Sequence, residues 1–137
     1  MKIINKERTD NMKFYECKKC GNLMVLIEES GIIPVCCGDT MSEVKPYISD
    51  SGGERHVPQM EINSDENSVT IQVGDMIHPM LNEHYIKWIV LETNLGGYKR
   101  YLKPGVDPIV TFKLSDNELP IRAYEFCNIH GLWSKTI

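Results

Sequence analysis

The sequence predicts a mainly β protein in which a small metal-binding domain precedes an immunoglobulin-like antiparallel β-sandwich. Three observations carry that prediction. From residue 56 onward, alternating or β-branched segments recur every dozen or so residues between clusters of turn residues. No stretch repeats its apolar residues at the 3.6-residue spacing of a helix. Residues 14–41 are rich in Cys and Gly but hold only short apolar pieces, LMVLI (23–27) and IIPV (32–35), too little for a core without a metal.

In chain order, residues 1–13 form a polar lead-in within which Met12 is an alternative start. Residues 14–41 are the four-cysteine domain. Residues 42–55, which contain SDSGGE, are a linker and active-site loop, and residues 56–137 are the sandwich. Within the sandwich the expected strands are NSVTIQV (67–73), YIKWIVLET (85–93), GYKRYLK (97–103), DPIVTFKL (107–114) and RAYEFCN (122–128). NLGG, KPGVDP and SDNELP are the turns between them.

Composition narrows the function classes. With 42% hydrophobic and 25% charged residues the 137-residue chain is globular. A formal charge of -4 with no basic stripe argues against nucleic-acid binding. The charged N-terminus lacks the apolar region of a signal peptide and the apolar runs are too short to span a bilayer, so the expectation is a cytoplasmic protein with no membrane association. In a reducing compartment, five cysteines point to metal ligation or redox chemistry rather than disulfides.

Cys17 and Cys20 form a Cys-x-x-Cys pair followed by Gly21, and the adjacent Cys36 and Cys37 are followed by Gly38. Four thiolates suit tetrahedral iron or zinc, and glycine after each pair admits the positive φ of a tight knuckle. A structural zinc knuckle is one reading. Neighbouring residues normally point apart, so placing both Cys36 and Cys37 on one metal distorts the site. This CxxCG and CCG arrangement resembles desulforedoxin, which implies a desulforedoxin-like domain holding one iron.

The remaining candidates are His56 in GGERHVPQ (52–59), His78 and His84 in MIHPMLNEHYIKWI (76–89), and Cys127 with His130 in EFCNIHGLW (125–133). A histidine alone is more often a surface or core residue than a ligand, but these stand at element ends, where rigid scaffolds place functional groups. Four imidazoles and a thiolate would leave one octahedral position open. A copper site of the cupredoxin kind is a competing reading. After His130 the chain continues Gly131-Leu132-Trp133 without the axial Met, and two histidines are left unexplained.

The segments Glu54-Arg55-His56-Val57-Pro58, His78-Pro79-Met80, Glu83-His84-Tyr85-Ile86-Lys87-Trp88-Ile89 and Cys127-Asn128-Ile129-His130-Gly131-Leu132-Trp133 together resemble the desulfoferrodoxins, two-iron superoxide reductases. The resemblance implies two irons per chain. One would have His56, His78, His84 and His130 equatorial and Cys127 axial; the other would be held by the four N-terminal cysteines. It implies reduction of superoxide to hydrogen peroxide, with Glu54 able to occupy the sixth position after oxidation and Arg55, where the family usually has lysine, attracting the anion. It further implies a rubredoxin-type electron donor, an anaerobic or microaerophilic setting and a homodimer. Leu23, Val25 and Ile33 are candidates for that interface or for the core. A non-catalytic iron electron-transfer protein is the alternative from another class, and a zinc-stabilised interaction module a third.

Overall fold

The computed structural model of the chain describes residues 12–50 and 55–137. Nearly all of the expected polar lead-in and part of the 42–55 loop, including Glu54, lie outside these residues. The described residues fall into two compact units divided between Lys45 and Pro46. No helix occurs among them, so none is long and apolar enough to cross a membrane.

The first unit is built on a three-stranded antiparallel sheet with β1 (Phe14–Glu16) between β2 (Leu23–Val25) and β5 (Ser42–Val44). Beside it, β3 (Val35–Cys36) and β4 (Asp39–Thr40) form a hairpin. Tyr15, Cys17 and Met41 are its buried cluster, far too little apolar surface to offset the entropy of ordering some thirty residues. The expected linker is corrected at its start: Ser42–Val44 pairs with β1, Glu16 opposite Ser42 and Phe14 opposite Val44. The segment is polar because it is an exposed edge strand, a position polar residues tolerate.

The second unit is a seven-strand sandwich. One sheet has β7 (Ser68–Val73) between β10 (Ile109–Lys113) and β6 (Pro58–Asn63); the other runs β12 (Gly131–Thr136), β11 (Pro120–Cys127), β8 (Ile86–Thr93), β9 (Gly97–Tyr101). Five of these strands, β7 to β11, fall on the segments the sequence marks as strands. The other two, β6 and β12, are both edge strands: β6 carries little apolar signal because its second half is exposed, and β12 begins inside the closing motif.

Period-two burial makes the core. Val69, Ile71 and Val73 point inward from β7, and Ile71 and Val69 lie directly opposite Val110 and Phe112 of β10. From the other sheet come Ile86, Ile89, Leu91, Ala123 and Cys127. Ile86 and Ile89 share one face despite an odd separation, because the register shifts between Phe126, opposite Trp88, and Cys127, opposite Ile86. That irregularity re-aims a side chain next to a functional site, a common use of a bulge. It aligns Cys127 with the buried row.

At the opposite end of β8 a buried carboxylate closes the sandwich. Glu118 accepts hydrogen bonds from the Thr93 and Tyr98 hydroxyls, both at 2.5 Å, and from the Ser115 amide at 2.9 Å. Burial alone would push its carboxyl up, but these donors hold it below the ordinary value. Glu118→Ala is therefore expected to cost about 2 kcal/mol, because the three donors lose their acceptor. In the parent, the contribution is present above the unfolded pKa and lost as pH falls through the folded one. Chemical denaturation at pH 7 and at pH 3.5 checks both: the variant's deficit at pH 7 should shrink on acidification.

Candidate metal centres

The four N-terminal cysteines converge on one point, their sulfurs within 4.8 Å of one another, and all are free thiols. Cys20 Sγ lies 3.6 Å from Cys36 Sγ, which lies 3.9 Å from Cys37 Sγ. Sulfurs about 2.3 Å from a tetrahedral metal are separated by about 3.8 Å, so the cage has the right size.

Local backbone geometry explains how adjacent cysteines share it. Cys37 and Gly38 have φ of 53° and 80° and form the two-residue turn between Cys36 and Asp39, positive at both positions as a type I′ hairpin turn requires. A non-glycine residue in this region is disfavoured by roughly 1 kcal/mol, yet the twist brings the Cys37 sulfur round to the side of Cys36. The Cys20 amide points at Cys17 Sγ (3.5 Å) and Asn22 Nδ2 at Cys36 Sγ (3.7 Å). Chiefly through the Cys20 amide, Cys17 is lowered to about 6, while Cys37, hydrogen-bonded first to Cys20, is pushed up to about 12. Without a cation the cage cannot hold four thiolates together; a bound iron or zinc ion would relieve their repulsion.

The second group lies wholly within the sandwich unit. His56 precedes β6, His78 and His84 flank the turn entering β8, Cys127 ends β11, and His130 sits in the three-residue loop to β12. Their ring centroids describe a near-square. The sides are 4.8 Å (His56–His78), 4.6 Å (His78–His84), 5.1 Å (His84–His130) and 4.6 Å (His130–His56), and the His56–His84 diagonal is 6.4 Å. Cys127 Sγ is 3.7 Å from His78 Nε2 and 3.6 Å from His130 Nδ1. The five donor atoms lie within 4.8 Å of one another, close to the span across a metal with bonds of about 2.0–2.3 Å.

Outer hydrogen bonds decide which nitrogen faces the centre. His78 Nδ1 donates to the Pro79 carbonyl at 2.7 Å and His56 Nδ1 to Asp50 at 2.9 Å, leaving Nε2 of each pointing inward. His130 instead turns Nδ1 toward the cluster, 3.0 Å from His56 Nε2. Buried His84 Nε2 has no hydrogen-bond partner at all, an arrangement whose desolvation cost a metal bond would offset. Burial, reinforced by the other histidines, lowers His78 to about 4, and His84 is lowered likewise, so both lone pairs are available at neutral pH. Burial pushes the Cys127 thiol up, against amides of the 129–130 turn; a cation would reverse that balance. Five donors exceed zinc's usual four, whereas imidazole and thiolate together suit iron. Both donor sets fit iron.

The imidazoles open into a cavity of about 500 Å³ lined also by Asp50, Arg55, Pro79 and Trp133. Arg55 is exposed on the wall of this cavity; Glu54 lies outside the described residues. Sequence reasoning assigned no role to three supporting residues. Asp50 orients His56 from a segment that reads only as polar loop. Trp133 stacks on His56 at 4.8 Å and donates Nε1–H to the His130 carbonyl. Asn128 accepts from the Tyr85 amide and donates to the Glu83 carbonyl, tying the Cys127–His130 loop to the turn bearing His84. Both Asn128 and Trp133 stand inside the closing motif, which was their only signal. Gly74, with φ of 82°, lies so close to Met76 and Arg55 that a Cβ would meet their carbonyl oxygens at 2.3 and 2.6 Å; glycine lets the segment leading to His56 pass.

Because Asp50 holds the His56 tautomer, Asp50→Ala should weaken iron retention at this centre by about tenfold or more. Chelator competition followed by metal analysis checks this. Retention at the four-cysteine centre should be unchanged.

Comparison with known proteins agrees with this geometry. The Desulfoferrodoxin family model matches residues 48–136. A desulfoferrodoxin homolog of Archaeoglobus fulgidus is 38% identical over 125 residues, covering 91% of this chain and 97% of the relative. The desulfoferrodoxin of Nitratidesulfovibrio vulgaris is 38% identical over 121 residues, 88% and 93% of the two chains. Among solved structures, the superoxide reductase from Treponema pallidum superposes with a TM-score of 0.77 at 31% identity, covering 92% of this chain and 98% of that one. With its two donor sets of four cysteines and of four histidines plus Cys127, the chain belongs to the desulfoferrodoxin family.

Proposed function

We propose that this protein is a superoxide reductase: superoxide, one electron and two protons give hydrogen peroxide, without release of oxygen. The observation that carries the reading is a five-donor set, one short of octahedral, opening into a solvent-connected cavity beside Arg55. The relatives named superoxide reductase, including those of Pyrococcus horikoshii and Thermococcus kodakarensis, support it. Iron held by His56, His78, His84, His130 and Cys127 would supply a one-electron ferrous–ferric couple and a place for an anion.

The chain's own residues set the conditions for that chemistry. Neutral imidazoles keep the positive charge of the centre uncancelled, which favours an anionic substrate. Cys127 would contribute a thiolate that donates electron density to the iron. Arg55, exposed at the cavity, attracts superoxide toward a protein of formal charge -4, since the local field governs encounter. A guanidinium scarcely releases its proton, so Arg55 acts through charge and ordered water. Glu54 is assigned the closing of the resting site after peroxide release. The Cys17, Cys20, Cys36 and Cys37 iron is assigned electron relay or stabilisation of its own unit. A rubredoxin-type donor, a homodimer, a cytoplasmic location and an anaerobic or microaerophilic setting complete the proposal on the strength of the family resemblance.

Pulse radiolysis of the reduced protein tests the reading: superoxide should disappear without oxygen formation, and zinc or copper at the second centre would reject it. Cys127→Ser should lose both the red-end visible absorption of a ferric thiolate and the activity. Arg55→Ala should slow the second-order reaction by about tenfold and flatten its salt dependence, while Arg55→Lys changes little. Replacing Cys37 should leave superoxide reduction largely intact in a folded variant.

A further inference from the structure

Each turnover consumes one electron that another molecule must deliver, so this inference rests on the proposed activity. We propose that the β9 edge of the sandwich, with Lys99, Arg100, Tyr101 and Lys103, is the docking surface for an acidic one-electron donor protein.

Charge is segregated in this chain. Residues 86–106 carry four cations, Lys87, Lys99, Arg100 and Lys103, and one acid, Glu92, a net of +3; the remaining residues, with 11 cations and 18 acids, carry -7. Glu92 does not cancel the patch, because it is buried and paired with Arg122 at 2.7 Å. The four cations are exposed, and among the described residues none forms an ion pair. In sequence they are spread over seventeen positions and bounded by Glu83 and Asp107, so they do not read as a stripe. The fold gathers them along neighbouring strands: Lys99 and Arg100 flank the edge from its two faces, Arg100 opposite Ile89 and 5.7 Å over the Phe112 ring, and the Leu102 amide bonds to the Lys87 carbonyl at 2.9 Å.

Position supplies the second argument. β9 is the outer strand of its sheet, next to β8, whose other neighbour is β11. Ile86, beside Lys87, is the residue opposite Cys127. Two strand spacings of about 4.8 Å therefore put the Leu102–Lys103 end of the edge on the order of 10 Å from the Cys127 backbone. The turn that follows is tied to the metal loops, Gly105 donating to the Met80 carbonyl at 2.8 Å while Met80 Sδ accepts from the Ile86 amide. A partner on this edge approaches Cys127 from the β8 side of its strand.

The surface also has the composition of a contact site. Tyr101 is 69% exposed and carries Lys99 Nζ at 4.7 Å from its ring centroid, and Val106, five positions further on, is 44% exposed. Tyrosine and arginine in such a setting are the usual anchors of protein interfaces. Lysine on an edge strand also discourages pairing with other strands, which accounts for Lys99. It does not account for the cluster continuing past the strand to Lys103 and Lys87 at the metal end. A negatively charged partner is the complement this field selects.

The test uses the holoprotein and reduced or oxidised rubredoxin of acidic surface as probe. In 15N-labelled holoprotein, amides of 98–106 should shift on adding oxidised rubredoxin. The double variant Lys99→Glu/Lys103→Glu should raise Kd and slow reduction of the ferric protein by about tenfold or more, with a flattened salt dependence. Lys99→Gln/Lys103→Gln should fall between, and the reaction of pre-reduced variant with superoxide should stay at the parent rate. Unchanged donor Kd and rate in folded variants would overturn the proposal, as would variants that only aggregate, which marks edge protection. Amide shifts produced by single-stranded RNA but not by rubredoxin would overturn it too. Loss of superoxide reaction in the parent would instead reject the activity, leaving the docking result readable by itself.

Discussion

Both centres depend on the same constraint: more lone pairs converge on one point than the surrounding donors satisfy. Buried His84 Nε2 without a partner, His78 held neutral by burial, and a sulfur cage that cannot carry four negative charges are each unfavourable alone. Protein interiors rarely tolerate unpaired buried polar atoms. A cation resolves all of them at once, and the surrounding structure, from the register shift at Cys127 to the left-handed turn at Cys37, serves to hold the donors in place until it does.

The two units answer that constraint differently because their cores differ. The sandwich buries continuous rows of Val, Ile, Leu and Phe between two sheets, so it supports its donors from a rigid frame independent of any ion. Its outer hydrogen bonds, Asp50 on His56 and the Pro79 carbonyl on His78, orient rings that are already fixed. The first unit has four buried residues among those described, Phe14, Tyr15, Met41 and the ligand Cys17. There metal binding and folding are one process. A closed sulfur cage on such a unit can pass an electron or hold the fold, whereas the five-donor set, open on the side of Arg55 and Trp133, can admit a substrate.

Much of this was legible before any coordinates. Strand signals between turn clusters located five of seven sandwich strands, because β7, β8, β10 and β11 are buried on at least one face and β9 carries two tyrosines between turns. Of the four edge strands, β6 escaped because exposure of its second half leaves little hydrophobic period to read, and β12 because it begins inside the closing motif; Ser42–Val44 passed for linker because it is short and polar. The ligand set was legible because Cys and His are scarce and occur in short motifs. Asp50 was not, because a carboxylate in a polar loop looks like any other until the chain folds it against a specific imidazole.

The chemistry is written in the linear chain: which nine side chains can ligate, that the cysteines divide four and one, and that a β framework carries them. These depend on residue type and local period, which are properties of the linear chain. Folding sets which ring nitrogen faces inward, how Cys36 and Cys37 reach one point, and that cations scattered over 87–103 come together on β8, β9 and the turn after it. Those are outcomes of register and chain reversal, where residues 17 or 74 positions apart become neighbours, as His56 and His130 do at 3.0 Å.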